Sequence, residues 1–287
     1  MSFRRLTALA VTLSLALGGA VQAQRFFREG SYPARYAPTD MPDSGFVICR
    51  MQYRQVRSEY SGIGWQTDYP FAEINLMTRL SELTKTPISR DANHEPNHYV
   101  VQVMQDQLFN CPMLMASDAG TLAFSEQEQL RLREYLLKGG FFWVDDFWGT
   151  EAWDHWEQQI SRVLPPSEFP IEDVQLSDPM LQSMFEVKEI PQITSIQFWL
   201  REGRSTTSER GADSDEVHLR AIRDSNRRKR RGRGPERLDV QALNILPQLR
   251  CIVSRASLNS TTADSPAFES FVPPTLVIAA TPKSAAG

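Results

Sequence analysis

Residues 136–149, Leu-Leu-Lys-Gly-Gly-Phe-Phe-Trp-Val-Asp-Asp-Phe-Trp-Gly, constrain this chain more than any other stretch. A polar helix stops at Gly139-Gly140, since glycine readily takes the left-handed conformation that ends helices. The apolar run from Phe141 to Val144 follows at once. It ends in two carboxylates, Asp145 and Asp146, then Phe147, Trp148 and Gly149. The pattern is helix, tight turn, buried strand and acidic strand end. In open α/β sheets, ligands bind in the crevice outside the carboxyl ends of the strands. The segment therefore predicts a fold class and a place for a site, but names no reaction.

The surrounding sequence alternates strands and helices. Residues 46–53 read as an apolar strand. The polar residues 54–68, with Gly62 and Gly64 flanking Ile63 before Trp65, read as a loop at its carboxyl end. Pro70 opens a helix to about Thr84, on which Phe71, Ile74, Leu76, Met77, Leu80 and Leu83 recur at three- and four-residue steps. Thr86-Pro87-Ile88 turns into a short strand, and residues 99–104 and 112–116 are further strands. Ser125 and Glu128 form a capping box for a helix to Lys138. Thr150 caps another from residue 151 to about 163, carrying Trp153, Trp156, Ile160 and Val163 and ended by Pro165-Pro166. Beyond it the signals weaken: residues 180–187 suggest a short helix and 194–200 a strand. Helices between strands imply mostly parallel pairing. The expected fold is a three-layer α/β domain, a mostly parallel sheet flanked by helices.

Residues 1–23 read as a secretory signal peptide. Arg4 and Arg5 precede an apolar run at 6–20, and Val21-Gln22-Ala23 offers small residues before a cleavage point. The run is shorter than the ~20 residues of a spanning helix. Export to the periplasm or beyond is expected, with cleavage after Ala23 and no stable membrane insertion. Residues 24–45, with Pro33, Pro38 and Pro42, form an extended lead-in. The α/β domain covers 46–226, and 227–287 is a tail. The tail opens on an Arg- and Lys-rich run at 227–233 and continues in Ser, Thr, Ala and Pro without period. That composition predicts disorder or loose attachment, and an unpaired sheet edge where last strands are lacking. The formal net charge of −4 gives no argument for a nucleic-acid partner. The three cysteines, Cys49, Cys111 and Cys251, cannot all pair within one chain. Cys49 and Cys111 lie in apolar runs, where a free thiol behaves as a small hydrophobe. An oxidising compartment also permits a Cys49–Cys111 disulfide.

Asp145 and Asp146 are the first candidates for function, as ligand contacts or as an acid/base carboxylate with a raised pKa. Successive strand side chains point to opposite faces, so one of the two is expected to face a given crevice. Trp148 could wall the site or cover the core. Asp118, in the turn Ala116-Ser-Asp-Ala-Gly120, and Trp65, in the loop after the first strand, lie at other strand ends. Ser117 stands where some α/β enzymes place a nucleophile, without a histidine that has a claim as its base. His94 and His98 sit in a loop with too little convergence for a metal. His155 reads as a surface or boundary residue, and His218 carries no signal. No Gly-x-Ser-x-Gly elbow, phosphate-binding loop or dinucleotide glycine pattern occurs. No metal or cofactor is therefore expected.

Several motifs together resemble the bacterial domain-of-unknown-function family 4159. They are Trp65-Gln-Thr-Asp-Tyr-Pro70, Asn75-Leu-Met77, Leu83-Thr-Lys-Thr86, Glu95-Pro-Asn-His98, Cys111-Pro112, the stretch 130–149, Pro191-Gln-Ile193 and Thr206-Thr-Ser-Glu-Arg-Gly211. The likeness covers residues 46–224. It implies a flavodoxin-like, class I glutamine amidotransferase-like fold, with no established activity and no established catalytic residues. The cysteine elbow of the glutaminases is absent: the matching turn is Ala116–Gly120. Family members continue past the stretch matching Arg220–Asp224 with further strands and a C-terminal helix. From Ser225 this chain departs from that pattern in the manner of a reading-frame change.

The sequence thus leads to an exported protein with its site near Trp65, Asp118, Asp145, Asp146 and Trp148. The first expectation is a non-catalytic module of the cell envelope that binds a small molecule or an envelope protein. The alternative is a hydrolase using Asp145 or Asp146 as acid/base in the same crevice.

Overall fold

The computed structural model of the protein describes residues 32–59, 62–146, 148–182, 185–202, 208–214, 217–223 and 276–282. Of the two units into which the chain divides, residues 1–34 and 35–287, every element below belongs to the second. The strands are β1 (Ile48–Gln52), β2 (Arg54–Gln55), β3 (His98–Gln102), β4 (Met113–Ser117), β5 (Leu122–Ala123), β6 (Phe141–Asp145), β7 (Ile171–Asp173), β8 (Val217–Arg223) and β9 (Leu276–Pro282). The helices are α1 (Phe71–Leu83), α2 (Glu126–Leu137), α3 (Gly149–Val163), α4 (Pro179–Gln182) and α5 (Ile196–Arg201).

One seven-stranded sheet runs in the order β3-β1-β4-β6-β9-β8-β7, with β2 and β5 paired separately. Strands β3, β1, β4 and β6 are mutually parallel, and β9 continues parallel beside β6. β8 and β7 then run antiparallel. The chain starts at β1, moves outward to β3, then returns past β1 to β4 and β6. The β1/β4 boundary is therefore a topological switch point.

Strand alternation divides the core into two layers. Cys49, Met51, Leu114, Ala116, Phe142 and Val144 are buried against α2 and α3, where Leu132, Leu136, Trp156 and Ile160 meet them. Phe142 and Trp156 pack edge to face, centroids 5.9 Å apart. On the other face Ile48, Met113, Met115 and Phe141 pack against Leu76, Met77 and Leu80 of α1 and against Met180 and Leu181 of α4. Each fully buried Leu, Ile, Met or Phe contributes roughly 1.5–3 kcal/mol. The two apolar faces make the sheet the middle of three layers, an α/β arrangement as the periodicity implied.

The capping box of α2 forms as read. The Ser125 Oγ accepts from the Glu128 amide, and the Glu128 carboxylate accepts from the Ser125 amide. α3 starts earlier than the sequence suggested. Its first residue is Gly149, and Thr150 lies inside the first turn, where its amide donates to Asp213 Oδ2 at 3.0 Å. Residues 194–200, expected as a strand, instead enter α5, because the Ser195 hydroxyl accepts from the Phe198 amide and caps a helical turn. Ile88 makes a single bridge to Phe46 rather than a strand. β7 and β8 had no expectation at all. Cys49 and Cys111 are joined by a disulfide, with Cα atoms 5.8 Å apart.

The signal peptide and most of the tail lie outside the described residues. The exception is β9. It fills the flank of β6, so among the described residues β6 is not an edge. The run Leu276-Val-Ile278 is apolar and ends in two β-branched residues, which suits a strand. The Ser-, Thr- and Pro-rich sequence around it hid that signal.

Candidate functional site

Polar side chains gather at the carboxyl ends of β1, β4 and β6. On the α1 face, alternation places Arg50 after Ile48, Ser117 after Met115 and Asp145 after Trp143. The register pairs Ser117 with Asp145 across β4 and β6. A buried chain of contacts results. The Arg50 Nε donates to the Glu73 carboxylate of α1, and both side chains are completely buried. Arg50 Nη1 donates to Ser117 Oγ at 2.6 Å. Ser117 Oγ donates onward to Asp145 Oδ1 at 2.8 Å, and the Trp143 indole donates to Asp145 Oδ2 at 2.8 Å. Arg50 Nη2 and Glu73 Oε2 are buried without partners. Burial alone would lower the pKa of Arg50, but Glu73, Asp145 and Asp68 outweigh it and raise it. Burial pushes Asp145 up against the pull of Trp143, Arg50 and Ser117.

On the other side of the strand ends stands Asp118, only 1 % exposed. Its Oδ2 accepts from the Gly64 amide at 2.8 Å. Gly62 passes so close to this carboxylate that a Cβ there would collide with it. That contact ties the loop carrying Trp65 and Asp68 across the end of β4. The Tyr53 hydroxyl donates to the carbonyls of Ser117 and Asp118, both at 2.8 Å, and fixes the turn. The buried Glu59 accepts from Arg57 Nη1 at 2.6 Å and from the Trp148 amide at 3.4 Å. Burial raises the Asp118 pKa to about 7, opposed by the Gly64 bond and helped by Glu59.

Asp146 follows directly, its Oδ1 accepting from the Trp148 indole at 3.2 Å. Burial, then the charges of Asp68, Asp145, Glu209 and Asp118, hold it well above an ordinary carboxylate. Asp68 is exposed. The protein massed around it raises its pKa, opposed by Arg50 and helped by Glu73 and Glu209. Asp68, Asp118 and Asp146 all take positive φ, at 61°, 53° and 54°. Aspartate tolerates this conformation better than most residues, yet it is uncommon and gathers at functional sites.

The structure therefore brings together Asp118, Asp145, Asp146 and Trp148. Trp65 lies on the loop that covers Asp118 and packs on Tyr69, centroids 5.6 Å apart. Asp145 and Asp146 diverge as alternation requires, each bonded to its own indole. The histidines stay apart from this group. His155 bonds the Leu122 carbonyl, His218 meets Asp173, and His98 packs on Tyr69. Among the described residues, no three of His, Cys, Asp or Glu approach closely enough to hold a metal ion. A small cavity, of about 190 Å³ including open solvent, lies elsewhere, between Trp156 of α3 and Arg220 of β8.

Sequence reasoning missed Arg50, Glu73, Tyr53, Glu59 and Asp68. Two of them left a signal. Glu73 falls on the apolar stripe of α1 with Leu76, Met77 and Leu80, and Arg50 interrupts the run Val-Ile-Cys-Arg-Met. A charge at each of two core positions implies a buried pair.

The fold and site define an α/β domain with a carboxylate-rich rim at a sheet switch point. The family described as a domain of unknown function (DUF4159) matches residues 52–229, more than half of the chain, and the protein belongs to that family. No curated protein matches it. No described helix is long and apolar enough to cross a membrane.

Proposed function

We propose that the protein is an exported, non-catalytic binding module of the cell envelope, taking a small molecule or a segment of an envelope protein at the ends of β1, β4 and β6. One observation carries this reading: three aspartates in the left-handed conformation, Asp68, Asp118 and Asp146, converge beside the β1/β4 switch point. The family resemblance implied a layout like that of class I glutamine amidotransferases, but the matching turn lacks their cysteine. The turn at Ala116–Gly120 offers Ser117, whose Oγ accepts from Arg50 and donates to Asp145. A hydroxyl held by a guanidinium is less nucleophilic, and this one is only 1 % exposed. The alternative reading, a hydrolase using Asp145 or Asp146 as acid/base, draws on one observation, that burial raises the pKa of both carboxyls.

The test pairs binding with turnover. A fragment screen by protein NMR, read at the indole resonance of Trp148, should find ligands that shift it saturably. The same protein should hydrolyse none of a panel of ester, amide, glycoside and phosphoester substrates. Turnover abolished by Asp145→Asn or Asp146→Asn would establish the hydrolase instead.

A further inference from the structure

We propose that the group recognised at this rim is an organic cation, an ammonium or guanidinium, seated against the Asp146 carboxylate and the Trp148 indole with Asp118 beneath. This rests on the binding-module reading. The first argument is charge. Asp68, Asp118, Asp145 and Asp146 share one rim, each within electrostatic reach of another. Among the described residues, Arg50 is engaged by Glu73 and Ser117, and Arg57 by Glu59, Glu151 and the Gly120 carbonyl. The second is an unfilled acceptor. Asp118 is nearly fully buried, and its Oδ1 has no hydrogen-bond partner. A buried acceptor left unpaired costs free energy that a donor would recover.

The third argument is aromatic. Trp143 and Trp148 are both half-buried, and each donates through its indole nitrogen to a rim carboxylate. Trp143 packs against the apolar layer on the α1 side, whereas the Trp148 ring stands beside Asp146, where a cation would meet carboxylate and indole together. The donor set favours an organic cation over a metal ion, because no three acidic groups approach closely enough to ligate one among the described residues. The raised pKa values of Asp118 and Asp146 add a consequence: an arriving cation displaces protons from them.

Calorimetric titration of the protein with cadaverine and agmatine tests this, with 1-pentanol and calcium chloride as controls. Saturable binding of the amines is expected, roughly tenfold tighter at about pH 8 than at about pH 6, with proton release measured in buffers of different ionisation heat. Asp146→Asn and, separately, Trp148→Phe should each weaken it by about tenfold, in variants that keep the wild-type circular dichroism. Amines binding no better than pentanol, or calcium binding in their place, overturns the cation proposal. If neutral or anionic fragments nonetheless shift the Trp148 resonance, the binding module stands without it. If no fragment of any charge does so, both fail.

Discussion

The same three strands make two different environments along their length. At their beginnings, β1, β4 and β6 present Ile48, Cys49, Met113, Leu114, Phe141 and Phe142, all buried, with the Cys49–Cys111 disulfide clamped across them. At their ends stand Ser117, Asp145, Asp118 and Asp146, and the Arg50 side chain reaches Ser117 from the middle of β1. One end is closed by packing. The other holds charges partly out of water, backbone in sparsely populated conformations and buried atoms without partners. On the proposed binding reading, stability and recognition are separated within one sheet: the beginnings hold the strands in register, and the ends present the groups.

The sharpest way to break this contrast is to weaken the closed end. Replacing Cys49 and Cys111 by alanine removes a cross-link over 62 residues. The loss should be about 4 kcal/mol, on the loop-entropy account of disulfides. Denaturant unfolding should show it as a lower midpoint, while the Trp148 indole environment stays unchanged in the folded state. A cost below about 1 kcal/mol would mean that apolar packing alone fixes this end.

A second test moves to the charged end. Glu73→Leu leaves the completely buried Arg50 guanidinium with only Ser117 as a direct contact, and should cost about 3 kcal/mol. Adding Arg50→Met should recover most of it, since two apolar residues of similar volume remove both buried charges. The double variant should still disturb the site, because Ser117 loses the donor that holds its hydroxyl toward Asp145. Equal stability of Glu73→Leu and wild type would show that the pair is not held out of water.

The two ends also differ in how far sequence discloses them. The closed end was legible because apolar periodicity is its cause: β1, β4, β6, α1 and α2 fall where the pattern places them, within a few residues. The acidic ends were legible as residue types, so Asp118, Asp145, Asp146 and Trp148 were found. Their partners were not, because the loop of Gly62 and Gly64 reaches Asp118 across 54 positions and Glu73 reaches Arg50 across 23. Local pattern carries no record of such distances. The strands β7 and β8 were hidden by their charges. Arg220 and His218 share Asp173 across the pair, and these polar residues break up the apolar signal of Leu219, Ala221 and Ile222, which are buried. α5 was misread because Ile196, Phe198 and Trp199 favour strands by type, whereas one cap at Ser195 decides the turn.

The smallest effect separates the ends by pH. Asp118 titrates near neutrality in the folded chain, at about 7, and near the usual ~4 once unfolded. Between those values the folded protein keeps a proton that the unfolded chain has released. The stabilisation linked to that proton is complete below about pH 4 and declines as pH rises toward 7. Asp145, Asp146 and Asp68 act in the same direction. Asp118→Asn keeps an oxygen to accept from Gly64 and tolerates positive φ, so it removes the titration with little other change. Unfolding free energies measured at intervals from about pH 4.5 to about 6.5 should fall in the wild type by roughly 1 kcal/mol per unit more than in the variant. The same substitution should leave the Cys49–Cys111 end unaffected. Parallel pH profiles for the two proteins would show that Asp118 ionises freely in the folded state, and that the charged end is more open to water than its burial implies.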